Sequence, residues 1–161
     1  MHAEGTQPTL ESVLTEEVRC TECLLSCLGA ERLALTARDM DALQNTTREK
    51  LDLTGRLEQL ELQREALVTR LGFGTDTENL QRCFRSQPRS GLLMKLWQQV
   101  LKNTGACQTD NLTNGGILES GRQHVEQALC ILRGQPGNPT TYSPAGNNTS
   151  ADLGQRELGK V

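Results

Sequence analysis

The chain has 161 residues and a formal net charge of −3, with 23% charged, 35% hydrophobic and 2% aromatic residues. That length suits one domain with a real core. The charge supplies no basic footprint for nucleic acid, and no run reaches the ~18 apolar residues needed to span a membrane. Four aromatics (Phe73, Phe84, Trp97, Tyr142) are too few for a β-sandwich or barrel, whereas the wealth of Leu, Glu, Gln and Arg suits helices.

Residues 1–8, Met-His-Ala-Glu-Gly-Thr-Gln-Pro, read as a frayed leader without the apolar stretch of a cleavable signal, so a soluble cytoplasmic protein is expected. The glycosylation-like triplets at Asn45, Asn111, Asn147 and Asn148 are then chance matches. Thr9 is a candidate N-cap with Glu11 in the first turn. Leu10, Leu14, Thr21, Leu24, Leu28 and Leu35 keep helical spacing, with Val13, Val18 and Leu25 widening the stripe. A first helix is expected from about Leu10 to about Leu35, with Gly29 as a tolerated flaw. Cys20, Cys23 and Cys27 fall on it at i, i+3 and i+7. The outer two stand ~10.5 Å apart by helical rise, too far for all three to gather round one zinc ion. The six cysteines read as small buried apolar residues of a reducing compartment. A metal or redox protein is the competing reading, with bound metal or reactive thiols as its sign.

Thr36 to Asp39 is a short turn, with Asp39 placed to cap the next helix. Leu43, Thr46, Lys50, Leu53, Leu57, Leu60, Arg64, Leu67 and Leu71 make a heptad seam along a helix of about 32 residues, ~48 Å long. Lys50 and Arg64 interrupt it. Both are expected to snorkel; the alternative pairs them with acids on the first helix, such as Glu17 or Glu31. Gly72-Phe73-Gly74 stops this helix, and Thr75-Asp-Thr-Glu78 reads as a capping box opening a short helix from about Asp76 to Arg85. Pro88 ends it and suits the first turn of the next.

The stretch Leu92 to Leu132 is expected to be one long helix closed by Gly134, despite its polar middle Asn111-Leu-Thr-Asn-Gly-Gly-Ile-Leu118. Steps of four and three from Leu93 reach Trp97, Val100, Thr104, Cys107, Asn111, Asn114, Leu118, Gly121, Val125, Ala128 and Leu132 without a slip. From Gly134 the composition turns to Gly, Pro, Asn, Thr and Ser, so residues 9–133 are read as the bundle and 134–161 as a flexible tail.

No catalytic constellation emerges. His2 lies in the leader and His124 beside the seam, while Glu16 and Glu17 are adjacent and point apart on a helix. Neither an enzyme nor a cofactor is expected. Helices of about 26, 32 and 41 residues do not match, and about ten residues (~15 Å) of the last seam lack obvious cover. Such a strip is an interaction site whose natural filler is an amphipathic helix.

Glu31-Arg-Leu-Ala-Leu35, then Lys50-Leu-Asp-Leu with Leu57, Leu60, Arg64 and Leu67, resemble the FlgN family of flagellar export chaperones. The Asn111-to-Leu118 block is similar to that family's Asn-x-x-Asn-Gly-x-Leu/Ile-Leu block, and Thr141-Tyr-Ser-Pro-Ala-Gly146 to its Tyr-x-x-x-Gly segment. The second glycine of the Asn block departs from the pattern, and the Cys20, Cys23, Cys27 run has no place in it. The resemblance implies a cytoplasmic chaperone of flagellar type III secretion that acts without ATP. Its clients would be hook–filament junction proteins of FlgK and FlgL type, held by their terminal amphipathic helices. Tyr142 matches the tyrosine that docks related loaded chaperones on the export gate (FlhA type).

The expectation is an all-α antiparallel bundle of three long helices and one short one. A client helix would pack on Leu118, Val125, Leu129 and Leu132, while Asn111 and Asn114 would meet its polar groups and set register, as a buried Asn does in a coiled coil. No nucleic acid or membrane insertion is expected. The alternative is a structural coiled-coil or adaptor protein that self-associates and has no client.

Overall fold

The structure, a computed structural model, describes residues 8–133. The chain divides into two compact units, Met1–Gly121 and Arg122–Val161, so the division falls ahead of the composition break at Gly134. The described residues form four helices: α1 (Leu10–Ala37), α2 (Met40–Arg70), α3 (Thr77–Ser86) and α4 (Ser90–Leu132). This is the expected all-α set of three long helices and a short one.

Local chemistry sets most of the ends. Thr9 caps α1 as expected, in a box with Ser12: each side chain accepts from the other's backbone N–H, at 3.1 and 2.9 Å. Asp39 caps α2 by accepting from the Ala42 N–H at 3.0 Å. At the far end of α2, Gly72 takes φ +84°, where a side chain is strained. The Gly72 and Phe73 N–H groups then close on the Thr69 and Val68 carbonyls at 2.9 and 3.2 Å. This Schellman closure turns Phe73 back toward the core. One start was misplaced by a residue: Asp76, not Thr75, caps α3, and its partner is Asn79, not Glu78. Asp76 accepts from the Asn79 N–H at 3.0 Å and from its side-chain amide at 2.6 Å. These two bonds favour the ionised carboxylate and hold its pKa below the ordinary value.

In the unit up to Gly121, α1 and α2 make an antiparallel hairpin, with Cys27 facing Thr46 and Cys20 facing Leu53. Residue α4 numbers rise together with those of α1: Arg89, just before α4, meets Glu11, Asn103 meets Thr21 and Asn114 meets Leu28. Thus α4 runs parallel to α1 and antiparallel to α2. The core is richest where α3 plugs one end. There Leu80, Cys83 and Phe84 pack with Leu10, Leu14, Val68, Leu93, Trp97 and Val100. Phe84 meets Trp97 edge-on, ring centroids 5.8 Å apart. Each large side chain fully buried here is worth about 1.5–3 kcal/mol.

Two seam positions shift. Val68 is buried and Leu71 exposed, because α2 stops at Arg70 and Leu71 is its C-cap. On α4, Asn103 is buried and Thr104 exposed, because the Asn103 amide reaches the Thr21 hydroxyl at 3.0 Å.

Candidate functional site

Below the plugged end, α4 is seated on the hairpin through tiers of polar side chains. In the first, Glu17 (3% exposed) and Arg64 (6% exposed) pair at 3.0 Å, and the guanidinium lies 4.9 Å from the centre of the Trp97 ring. Glu17 Oε2 and Trp97 Nε1 are buried without a hydrogen-bond partner. Burial pushes the Glu17 carboxyl up, more strongly than the attraction of Arg64 pulls it down. The snorkelling expectation is therefore overturned for Arg64, which lies across the interior between an acid and an indole face.

The second tier joins Thr21 and Asn103, with the Gln99 amide donating to Asn103 Oδ1 at 2.9 Å. The third is built on Glu31. Lys50 donates to its Oε1 at 2.5 Å and Asn114 to its Oε2 at 2.8 Å. Asn114 also donates to the Leu28 carbonyl at 2.9 Å and accepts from Arg32 Nε at 3.1 Å; Arg32 continues to Asp110. Lys50 too is paired rather than snorkelling. A buried carboxylate with two donors is compensated in the way that lets such a group leave water.

This tier decides where the predicted amides lie. Asn114 is buried, with both amide hydrogens and its oxygen engaged by α1, so it sets the register of α4 within the chain. Asn111 is exposed, its Oδ1 3.5 Å from Lys50 Nζ. Sequence reasoning missed Asn103 as a partner of α1. The signal was Thr21 standing in an otherwise apolar stripe.

After Asn114 no residue of α4 is buried. Leu118 is 60% exposed in the first unit; in the second, Val125 is 61%, Leu129 42% and Leu132 82% exposed. Within the second unit the spacings of four and three place Val125, Leu129 and Leu132 on one stripe of a helix. Within the second unit Arg122 and Glu126 pair along the helix. Tyr142 lies outside the described residues, as does the whole predicted tail.

Four of the six cysteines, Cys20, Cys27, Cys83 and Cys107, are buried as expected, but Cys23 is exposed and Cys130 only half-buried. Cys20 and Cys27 donate toward α2 carbonyls at 3.7 and 3.3 Å, whereas Cys23 faces outward on α1. Burial raises the pKa of Cys20, Cys27, Cys83 and Cys107, away from the thiolate that reacts or ligates metal. Among the described residues no three His, Cys, Asp or Glu side chains are grouped to hold a metal ion, and no helix is long and apolar enough to cross a membrane. A groove of about 440 Å³ between the start of α1, the end of α2 and the start of α4 has apolar walls, including Leu10, Leu67 and Leu93, and no reactive grouping. What the second unit offers chemically is exposed apolar surface on a helix, at Val125, Leu129 and Leu132.

Known proteins share this architecture. The crystal structure of a Pseudomonas aeruginosa protein assigned as flagella synthesis protein FlgN superposes with a TM-score of 0.65 at 27% identity, over 70% of this chain and 88% of that one. Two flagella synthesis proteins FlgN of Yersinia enterocolitica, one from serotype O:8 / biotype 1B, are each 26% identical over 152 residues, 93% of this chain and 96% of theirs. The family described as FlgN protein matches residues 1–150. With the match spanning nearly the whole chain, and Asn114 of the Asn-Gly block seating α4 on α1, the chain belongs to the FlgN family.

Proposed function

We propose that this chain is a cytoplasmic export chaperone for hook–filament junction proteins of FlgK and FlgL type, working by holding a client's terminal amphipathic helix. The observation that supports it is the exposed stripe Leu118, Val125, Leu129, Leu132 on α4. A seam of that spacing takes an amphipathic helix in a side-by-side packing, burying both apolar faces. Each Leu-sized anchor contributes about 1.5–3 kcal/mol, so three or four support micromolar binding after association costs. Asn111, exposed next to Lys50, remains available to a client's polar groups, whereas Asn114 is committed to α1. Covering the client helix would keep it from pairing before assembly. In this reading Tyr142 then docks the loaded complex on the cytoplasmic domain of the export gate (FlhA type).

The test is co-purification of the full chain with FlgK-type and FlgL-type proteins carrying or lacking their terminal helices. Binding is expected only with the helix present, and undiminished binding after its deletion overturns the mechanism. Replacing Val125 and Leu129 by Ala, both on an exposed face, removes the anchors without lowering helix propensity and should weaken the complex on the order of a hundredfold. A stable homo-oligomer in which the stripe is permanently covered, indifferent to any client, would favour a structural adaptor instead.

A further inference from the structure

The second half of α4 is made of poor helix material with no packing reason for it. Gly115, Gly116 and Gly121 are separated so that they fall on different sides of the helix, and a Cβ built on any of them meets nothing within 4 Å. Glycine is therefore not there to let another element of the described chain approach. In a helix interior each costs ~1 kcal/mol relative to Ala. Elsewhere a helix absorbs that cost through a buried face. Here Asn114 is the last buried residue of α4, and the stripe that follows is solvent-exposed. By contrast Gly105 sits between Asn103 and Cys107, both buried against α1. The division between the two compact units falls at Gly121 itself.

We infer that Gly115, Gly116 and Gly121 hold the stripe-bearing part of α4 near its helix–coil limit, so that the client-binding face is conditional and its ordering is coupled to seating of the client helix. This rests on the chaperone reading for its ligand, but the helix–coil part stands on the free chain alone. The coupling follows from linkage. A client that binds only the helical form draws the opening equilibrium toward helix, and its apparent affinity falls by the fraction of chains in which the face is formed. The apolar stripe is then presented continuously only with a partner on it.

The experiment uses the full chain, the triple variant Gly115→Ala/Gly116→Ala/Gly121→Ala, and Gly105→Ala as control. All four positions have room for the added methyl. Amide hydrogen exchange of residues 118–132 is expected to be fast in the free natural chain and roughly tenfold to a hundredfold slower in the triple variant, with Gly105→Ala changing it little. A FlgK-type protein with an intact terminal helix should slow the same amides in the natural chain and bind the triple variant tighter, by the reciprocal of the fraction of free chains in which the face is formed, about twofold at the helix–coil midpoint. Equal exchange in the natural chain and the triple variant overturns the inference. So does slowed exchange with unchanged or weaker client binding, which would mean that the glycines make room for the client instead. If neither chain binds any junction protein while exchange slows as expected, the helix–coil part is upheld and the chaperone reading fails.

Discussion

Arg38 ends α1 with φ 56°, the left-handed conformation that suits glycine. A non-glycine residue pays roughly 1–2 kcal/mol there. Arg38→Gly removes that strain and adds some freedom to the unfolded chain, so a net gain of about 0.5–1 kcal/mol is expected. In urea unfolding the midpoint should rise with an unchanged slope. Glu17 makes a second prediction. Its ordinary value is 4.5, and burial raises it in the fold. Between the two values the folded chain holds more protons than the unfolded one, so this group favours folding below 4.5 and that contribution is lost as pH rises through the raised value. The Glu17→Gln variant lacks this dependence. The natural chain should therefore lose stability relative to this variant as pH rises above 4.5. If in parallel urea titrations the natural chain instead gains on the variant with pH, the attraction of Arg64 dominates burial.

At the scale of the element, α4 is held by hydrogen bonds more than by apolar contact beyond Val100. Asn114→Ala strips donors from the Leu28 carbonyl and from Glu31, and an acceptor from Arg32. Buried groups left unpaired cost about 1–3 kcal/mol, which thermal unfolding should register as a lowered Tm. The elements were legible where their chemistry is local. Thr9, Asp39 and Gly72 each act within a few residues, and each acts as spacing and residue type predict. Asp76 was harder because Thr75 and Asp76 are both competent caps, and the choice depends on which one Asn79 can reach. Lys50 and Arg64 could not be settled from periodicity. A long cation in a seam has the same spacing whether it snorkels or meets an acid, and its partners Glu31 and Glu17 belong to another helix. The apolar stripe itself was readable from Leu118, Val125, Leu129 and Leu132, but the burial of Asn114 depends on the register of α4 against α1, which no single helix encodes.

At the scale of the whole molecule, the functional reading separates two roles along the chain. Truncation after Gly134 should leave client co-purification intact and weaken capture by the export gate's cytoplasmic domain, and Tyr142→Ala in the full chain should do the same. Loss of the client on truncation would place its site in the tail. The third polar tier also has a history in time. Glu31 meets Lys50 from 19 residues away, but Asn114 from 83. Closing the shorter loop is cheaper, and contacts near in sequence form earlier. On contact order, the Glu31–Lys50 pair is expected to form first, with the second Glu31 oxygen hydrated until α4 docks. The arrival of Asn114 is then expected to complete the carboxylate. In stopped-flow refolding, Lys50→Met should slow folding, whereas Asn114→Ala should leave the folding rate nearly unchanged and speed unfolding. In that order the tier would act as a latch, set open by α1 and α2 and closed by α4.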